Sequence, residues 1–132
     1  MARKTLGLAL GSGSAKGFAH MGALAALEEN NIPVDYICGC SMGAVVGGIY
    51  ACGTNIRLMS KAVPMINEKP YMDVTIPKGG GFIRGERFME LVKLLSKDYE
   101  FKDTKIPFSC VAVDLLSAQL VVMDEGKIYD AV

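Results

Sequence analysis

Short apolar runs alternate along this chain with longer stretches in which apolar residues recur every three or four positions. The compact runs at 5–10, 34–39, 108–113 and 120–123 are bounded by Gly, Pro or Asp and predict β-strands. The periodic stretches at 17–30, 42–52, 55–66 and 86–97 predict helices. In 86–97, Phe88, Leu91, Val92 and Leu95 fall on one helical face and read as core. In 55–66, Ile56, Met59, Val63 and Ile66 do the same, with Thr54 as the expected N-cap. Between 68 and 85 the texture changes: Pro70, Pro77, Gly79, Gly80, Gly81 and Gly85 mark a long loop, either a substrate wall or lid, or a plain connection. Residues 114–117 are short enough for a hairpin between the last two strands, and 124–127 read as a further turn. The alternation predicts one α/β domain over 1–132. Its mainly parallel sheet is covered by helices on both faces, in three layers, with an antiparallel pair late in the chain.

One junction in this pattern carries chemistry. The strand ending near residue 39 passes into the next helix through Gly39-Cys40-Ser41-Met42-Gly43. Glycine–any–serine–any–glycine between a strand and a helix is the pattern of a nucleophile elbow, whose tight turn leaves its flanks little room beyond glycine and pushes the serine hydroxyl outward. The plainer alternative is an ordinary turn with Ser41 as helix N-cap.

A second strand-to-helix junction bears on that choice. The first strand runs into Gly11, Ser12, Gly13, Ser14, Ala15, Lys16 and Gly17, and then into a helix. Such a loop aims backbone N–H groups at an anion, either a nucleotide phosphate or the oxyanion of a tetrahedral acyl intermediate. The dinucleotide fingerprint needs glycines at its first, third and sixth positions; counted from Gly11 the sixth is Lys16, and counted from Ser12 the first and third are serines. No Gly-Lys-Ser/Thr closes a phosphate loop. An oxyanion hole built from Gly11, Ser12, Gly13 and Ser14, with Met42 as a further donor, is the better reading, because a serine nucleophile follows at the next junction.

The stretch from Leu8 to Gly22, with Gly39-Cys40-Ser41-Met42-Gly43 after it, resembles the patatin-like phospholipase family in order and spacing. Serines stand at 12 and 14 where the family usually has glycine, and Lys16 where it often has arginine; serine keeps its N–H, while lysine keeps the charge and loses the planar fork. Phe108 to Asp114 is similar to a later core strand of the family with its trailing aspartate. The resemblance implies a lipid acyl-ester hydrolase with Ser41 as nucleophile in a Ser–Asp dyad, no histidine base, no cofactor, and passing contact with a membrane surface. The dyad aspartate of the family lies in an Asp-Gly-Gly or Asp-Gly-Ala motif downstream of the serine. No aspartate of this chain precedes a glycine. The expectation is therefore an N-terminal portion lacking its base, inactive alone and prone to self-association through uncovered sheet edge. The alternative is a non-catalytic module that binds an acyl group or an anion. Asp114 is the one stand-in base to weigh, and the resemblance disfavours it. His20, the sole histidine, is read as structural, capping or packing under the glycine loop.

Charge and composition narrow the partners. Lys plus Arg and Asp plus Glu number 14 each, so no basic face for nucleic acid is expected, nor an electrostatic membrane patch. No apolar run reaches the roughly 18 residues a membrane span needs. The apolar run after Arg3 and Lys4 is too short for a signal-peptide core, and the expected location is the cytoplasm. Cys38, Cys40, Cys52 and Cys110 are read as buried free thiols in a reducing compartment; the single residue between Cys38 and Cys40 fits no usual metal or redox spacing, and no metal is assigned.

Overall fold

A computed structural model describes residues 3–67 and 86–132. The expected long loop at 68–85 lies outside the described residues. Among the described residues, four strands form one sheet in the order β1-β2-β3-β4: β1 (Gly7–Leu10), β2 (Tyr36–Cys40), β3 (Phe108–Val113) and β4 (Leu120–Met123). The first three run parallel and β4 is antiparallel to β3, the mainly parallel α/β sheet the pattern predicts.

Helix α1 (Ala19–Glu29) joins β1 to β2, and α2 (Met42–Ala51) leaves β2 directly. α3 (Ile56–Asn67) and α4 (Glu86–Leu95) follow, and a short α5 (Ile128–Ala131), which no periodicity announces, ends the chain as given. α2 is the centre of the packing. Its inner side lies on the sheet in a core of Leu10, Ile37, Ala44, Ala51, Phe108, Cys110 and Ile128. Its outer side meets Met21 and Leu24 of α1, Ile56 and Met59 of α3, and Leu91, Val92 and Leu95 of α4 around Val45, Val46 and Ile49. Small residues make this possible: a methyl added to Gly47 would lie 2.9 Å from Ile37 Cγ2, so any larger side chain would lift the helix off the strand.

The registers Leu10↔Gly39↔Cys110 and Leu8↔Ile37↔Phe108 put those residues on the α2 side of the sheet. The opposite face carries Tyr36, Cys38, Cys40, Ser109, Val111, Val113 and Val122; apart from Ser109, which is buried, these are half-buried or exposed, and neither apolar core among the described residues lies on it. The expected second covering layer is thus not among the described residues. This also corrects the reading of the thiols: Cys52 and Cys110 are buried, whereas Cys38 and Cys40, alternate residues on the open face, are half-buried.

Local polar contacts shift several boundaries. β1 begins at Gly7 and β2 at Tyr36, because the Asp35 carboxylate takes the Leu6 N–H (2.7 Å) and the Arg3 guanidinium (2.7 and 2.5 Å), tying the segment before β1 to the start of β2. Thr54 does not cap α3. Its hydroxyl donates to the Leu95 carbonyl at 2.5 Å, and Asn55 caps instead, its Oδ1 accepting from Arg57 N at 2.8 Å. α4 ends two residues early because Lys97 and Asp98 adopt positive φ (58° and 55°). The Lys97 ammonium then caps the other end of α2 through the carbonyls of Cys52 (3.1 Å) and Gly53 (3.2 Å).

Candidate active site

The parallel order brings the C-terminal ends of β1, β2 and β3 to one edge of the sheet, with the glycine loop, Ser41 and Asp114 each leaving one of them. Ser41 lies between β2 and α2 at φ 52°, ψ −125°, a left-handed backbone that a non-glycine residue holds only when its surroundings impose it. Its neighbours impose it here. A Cβ on Gly39 would lie 2.7 Å from both Ala44 N and Gly43 O, and one on Gly43 would overlap the carbonyls of Leu10 and Gly11. The turn closes through the Ser41 carbonyl, which accepts from Ala44 N (2.8 Å) and Val45 N (3.1 Å).

The Ser41 side chain makes no capping bond and is exposed, so the helix-cap alternative does not describe it. It sits at the N-terminal, partially positive end of α2, a ten-residue helix.

The glycine loop is built around two backbone features. Gly13 has φ 150° with ψ 4°, and Ser14 has φ 47°. The chain then closes into a 3-10 turn over Ser14–Phe18, with Lys16 N donating to Gly13 O at 2.9 Å. The helix expected from residue 17 therefore starts as an α-helix only at Ala19. Among the described residues, nothing accepts the N–H groups of Ser12 and Gly13, and both residues are exposed. His20 Nε2 lies 2.8 Å from the Gly11 carbonyl and must be the donor, since that oxygen can only accept. The imidazole thus holds the loop from beneath. In a trans peptide it fixes the Gly11 carbonyl on its own side and sends the Ser12 N–H the opposite way.

Gly17 is the loop residue whose importance the sequence hid. It is buried, and the side chain of Met42 lies against it, which joins the loop to the elbow. A glycine at the start of a helix, where alanine is favoured, was the available signal.

Asp114 is brought to the same edge as Ser41 and is already occupied. Its Oδ1 accepts from Leu116 N (2.9 Å) and its Oδ2 from Ser117 Oγ (2.8 Å), closing the turn between β3 and β4. The Leu116 N–H, and after it the Ser117 hydroxyl, hold this carboxyl below the usual carboxylate range. Burial pushes the Cys52 and Cys110 thiols up to about 11. No group of three or more His, Cys, Asp or Glu able to hold a metal occurs among the described residues.

A family model for patatin-like phospholipase matches residues 8–132. The chain belongs to the patatin-like phospholipase family. It is 34% identical over 127 residues to an uncharacterized NTE family protein of Mycobacterium tuberculosis, an alignment covering 95% of this chain and 35% of that protein. It is 30% identical over 132 residues to human patatin-like phospholipase domain-containing protein 6, covering 95% of this chain and 10% of that protein. A patatin-like phospholipase domain-containing protein of Caenorhabditis elegans is 31% identical over 130 residues, covering 94% and 10%. This patatin-like chain therefore spans about a third of the mycobacterial relative and a tenth of the animal ones. Lipid hydrolysis is the family's general activity, lipids are its substrates, and the α/β fold agrees with it. No helix among the described residues is long and apolar enough to cross a membrane.

Proposed function

We propose that this chain carries the nucleophile and the oxyanion-binding loop of a serine acyl hydrolase acting on lipid esters. The observation that carries the reading is Ser41 itself: strained at φ 52°, uncapped, exposed, and set at a helix N-terminus. In the reaction Ser41 Oγ attacks the ester carbonyl carbon and gives up its proton to a base. The N–H groups of Ser12 and Gly13, with those of Ser14 and Met42, receive the oxyanion, each such donor contributing on the order of 3 kcal/mol. The alcohol departs with a proton from the conjugate acid of that base, and water attacks the acyl-enzyme to release the fatty acid and regenerate Ser41.

Among the described residues no base is assigned. Ser41 Oγ has no hydrogen-bond partner among the described residues, His20 Nε2 is committed to Gly11, and Asp114 is committed to its own turn. The Asp-Gly motif that holds the family's dyad aspartate is absent from residues 1–132, so in this reading these residues alone turn over no ester. The same observation favours a second reading, a non-catalytic module that holds an acyl group or an anion. The free thiols fit a reducing, cytoplasmic compartment.

The test is Ser41→Ala in the full chain, meaning residues 1–132 together with a segment that supplies the dyad aspartate, with a serine-directed phosphonate as the chemical arm. The expected result is covalent labelling of Ser41 and loss of at least about a thousandfold in ester turnover in the variant. Turnover that survives Ser41→Ala removes the nucleophile assignment; absence of both labelling and turnover in the full chain favours the binding module.

A further inference from the structure

Ser41 has a polar neighbour on one side and an apolar one on the other. Toward β1 lies the glycine loop. Toward β3 stands the turn between β3 and β4, whose leucines are among the most exposed large apolar side chains of the described residues: Leu115 is 85% and Leu116 99% exposed, flanked by Val113 at 57% and Leu120 at 65%. Val113 and Leu120 lie on the sheet face left open among the described residues, but Leu115 and Leu116 stand in water on the turn itself, a cost that a merely connecting turn has no reason to carry.

The protrusion is held out rather than left to collapse. Asp114 N donates to the Gln119 carbonyl (2.9 Å), the Asp114 carboxylate takes Leu116 N and Ser117 Oγ, and Val113 pairs with Leu120 in the ladder below. From Leu115 to Met123 no residue is charged. The turn's one charge, on Asp114, is turned onto the turn's own donors.

Its height is set by the register. Cys40 is level with Val111, which puts Ser41 level with Ala112. Leu115 follows three residues later, and at about 3.3 Å per residue the leucines stand up to roughly 10 Å beyond the nucleophile along the strand direction. Side chains that bind at a bilayer surface reach ~5–10 Å into the headgroup and acyl boundary. A tip inserted to that depth brings Ser41 to the level of the ester groups.

We propose that the tip formed by Leu115 and Leu116 is an interfacial anchor that inserts into the hydrocarbon edge of a lipid surface and seats the Ser41 mouth on it. The proposal rests on the lipid-hydrolase reading of the site, and it commits to a phospholipid surface as the partner. The attraction is apolar, since the chain has no net charge and the tip carries no cation, so binding to neutral vesicles is expected and added salt has little effect on it.

Residues 1–132 contain no tryptophan, so a residue introduced there is read as the difference from the same chain without it. In the full chain with Ser41→Ala, which prevents lipid turnover during the measurement, Leu116→Trp and, as a control on the exposed side of α4, Leu94→Trp are titrated with phosphatidylcholine vesicles. Leu94 is 74% exposed and lies far from the tip in sequence. The expected result is a blue shift, and quenching by bromine-labelled acyl chains, for Leu116→Trp only, unchanged by salt. Co-sedimentation of the Leu115→Ser, Leu116→Ser double variant with the same vesicles is expected to weaken by at least about tenfold. A shift at both positions, a shift at neither, or undiminished co-sedimentation of the double variant overturns the proposal. So does a shift that follows protein concentration without vesicles, which would assign the tip to a second copy. Because the readout needs no hydrolysis, the anchor can fail while Ser41 remains the nucleophile, and the nucleophile can fail while the anchor stands.

Discussion

A methyl group added to Gly17 would lie 2.5 Å from Cγ of Met42. The glycine loop after β1 and the elbow after β2 are therefore in direct contact, and the position of one sets the position of the other. Gly17→Ala is expected to destabilise the chain by about 1–3 kcal/mol through overpacking. Met42→Ala, harmful alone, is expected to recover part of that loss in the double variant, because the two substitutions share one contact. Urea denaturation of the four chains in a double-mutant cycle measures this; strictly additive losses would show that the contact does not couple loop and elbow.

Gly13 has a backbone that side chains rarely adopt, and a Cβ there would meet Gly17 N at 3.1 Å. Gly13→Val is expected to displace the Ser12 and Gly13 N–H groups and to lower ester turnover by about a hundredfold or more in the full chain. The loop is exposed, so the circular dichroism spectrum should stay close to that of the parent. Full turnover by a folded variant would remove the oxyanion assignment.

Asp114 separates a turn-former from a base. Asp114→Asn keeps an acceptor for Leu116 N and should retain stability and activity, whereas Asp114→Ala is expected to cost on the order of 1 kcal/mol by opening the turn. Equal, near-complete loss of turnover in both folded variants would instead make Asp114 the base. Thermal melts and ester kinetics on the same samples of the full chain decide it.

The Arg3 guanidinium, and after it the Leu6 N–H, hold the Asp35 carboxyl well below the usual range, at about 2. Between about pH 4 and pH 2 the unfolded chain binds a proton at this site that the folded chain refuses. The stability Asp35 contributes is therefore complete above that window and is lost as pH falls through it. Asp35→Asn is expected to lower stability at neutral pH and to flatten its fall across the window. An unchanged acid limb in the variant would show that the Arg3 pair adds nothing.

Cys52 and Cys110, buried and pushed up to about 11, should resist a thiol reagent at neutral pH until the chain is denatured. Cys38 and Cys40, half-buried on the open sheet face, should label first. Mass spectrometry of the native chain is expected to find label at those two positions alone, and early label on Cys110 would contradict the packing of β3 under α2.

What the residues determined by themselves was local. The elbow pattern around Ser41, the glycine loop, the amphipathic face of Phe88, Leu91, Val92 and Leu95, and the strands 108–113 and 120–123 follow from turn chemistry and from periodicities of two and 3.6, which are fixed by the backbone over a few residues. The tertiary structure decided where each polar group finds its partner. Thr54 reads as a cap and instead bonds Leu95, 41 residues away; Ser41 reads from its own turn alone as cap or nucleophile, and its hydroxyl is left free. His20, read as structural, and Asp114, the one stand-in base weighed, are taken up by Gly11 and by the turn 114–119. Strand alternation announces two faces but not which of them is covered, so Cys38 and Cys110 read alike although one is open and one enclosed. Period and propensity are properties of a segment; a hydrogen-bond partner or a covered face is a property of segments brought together, and it exists only once α2 is seated between the sheet and the outer helices.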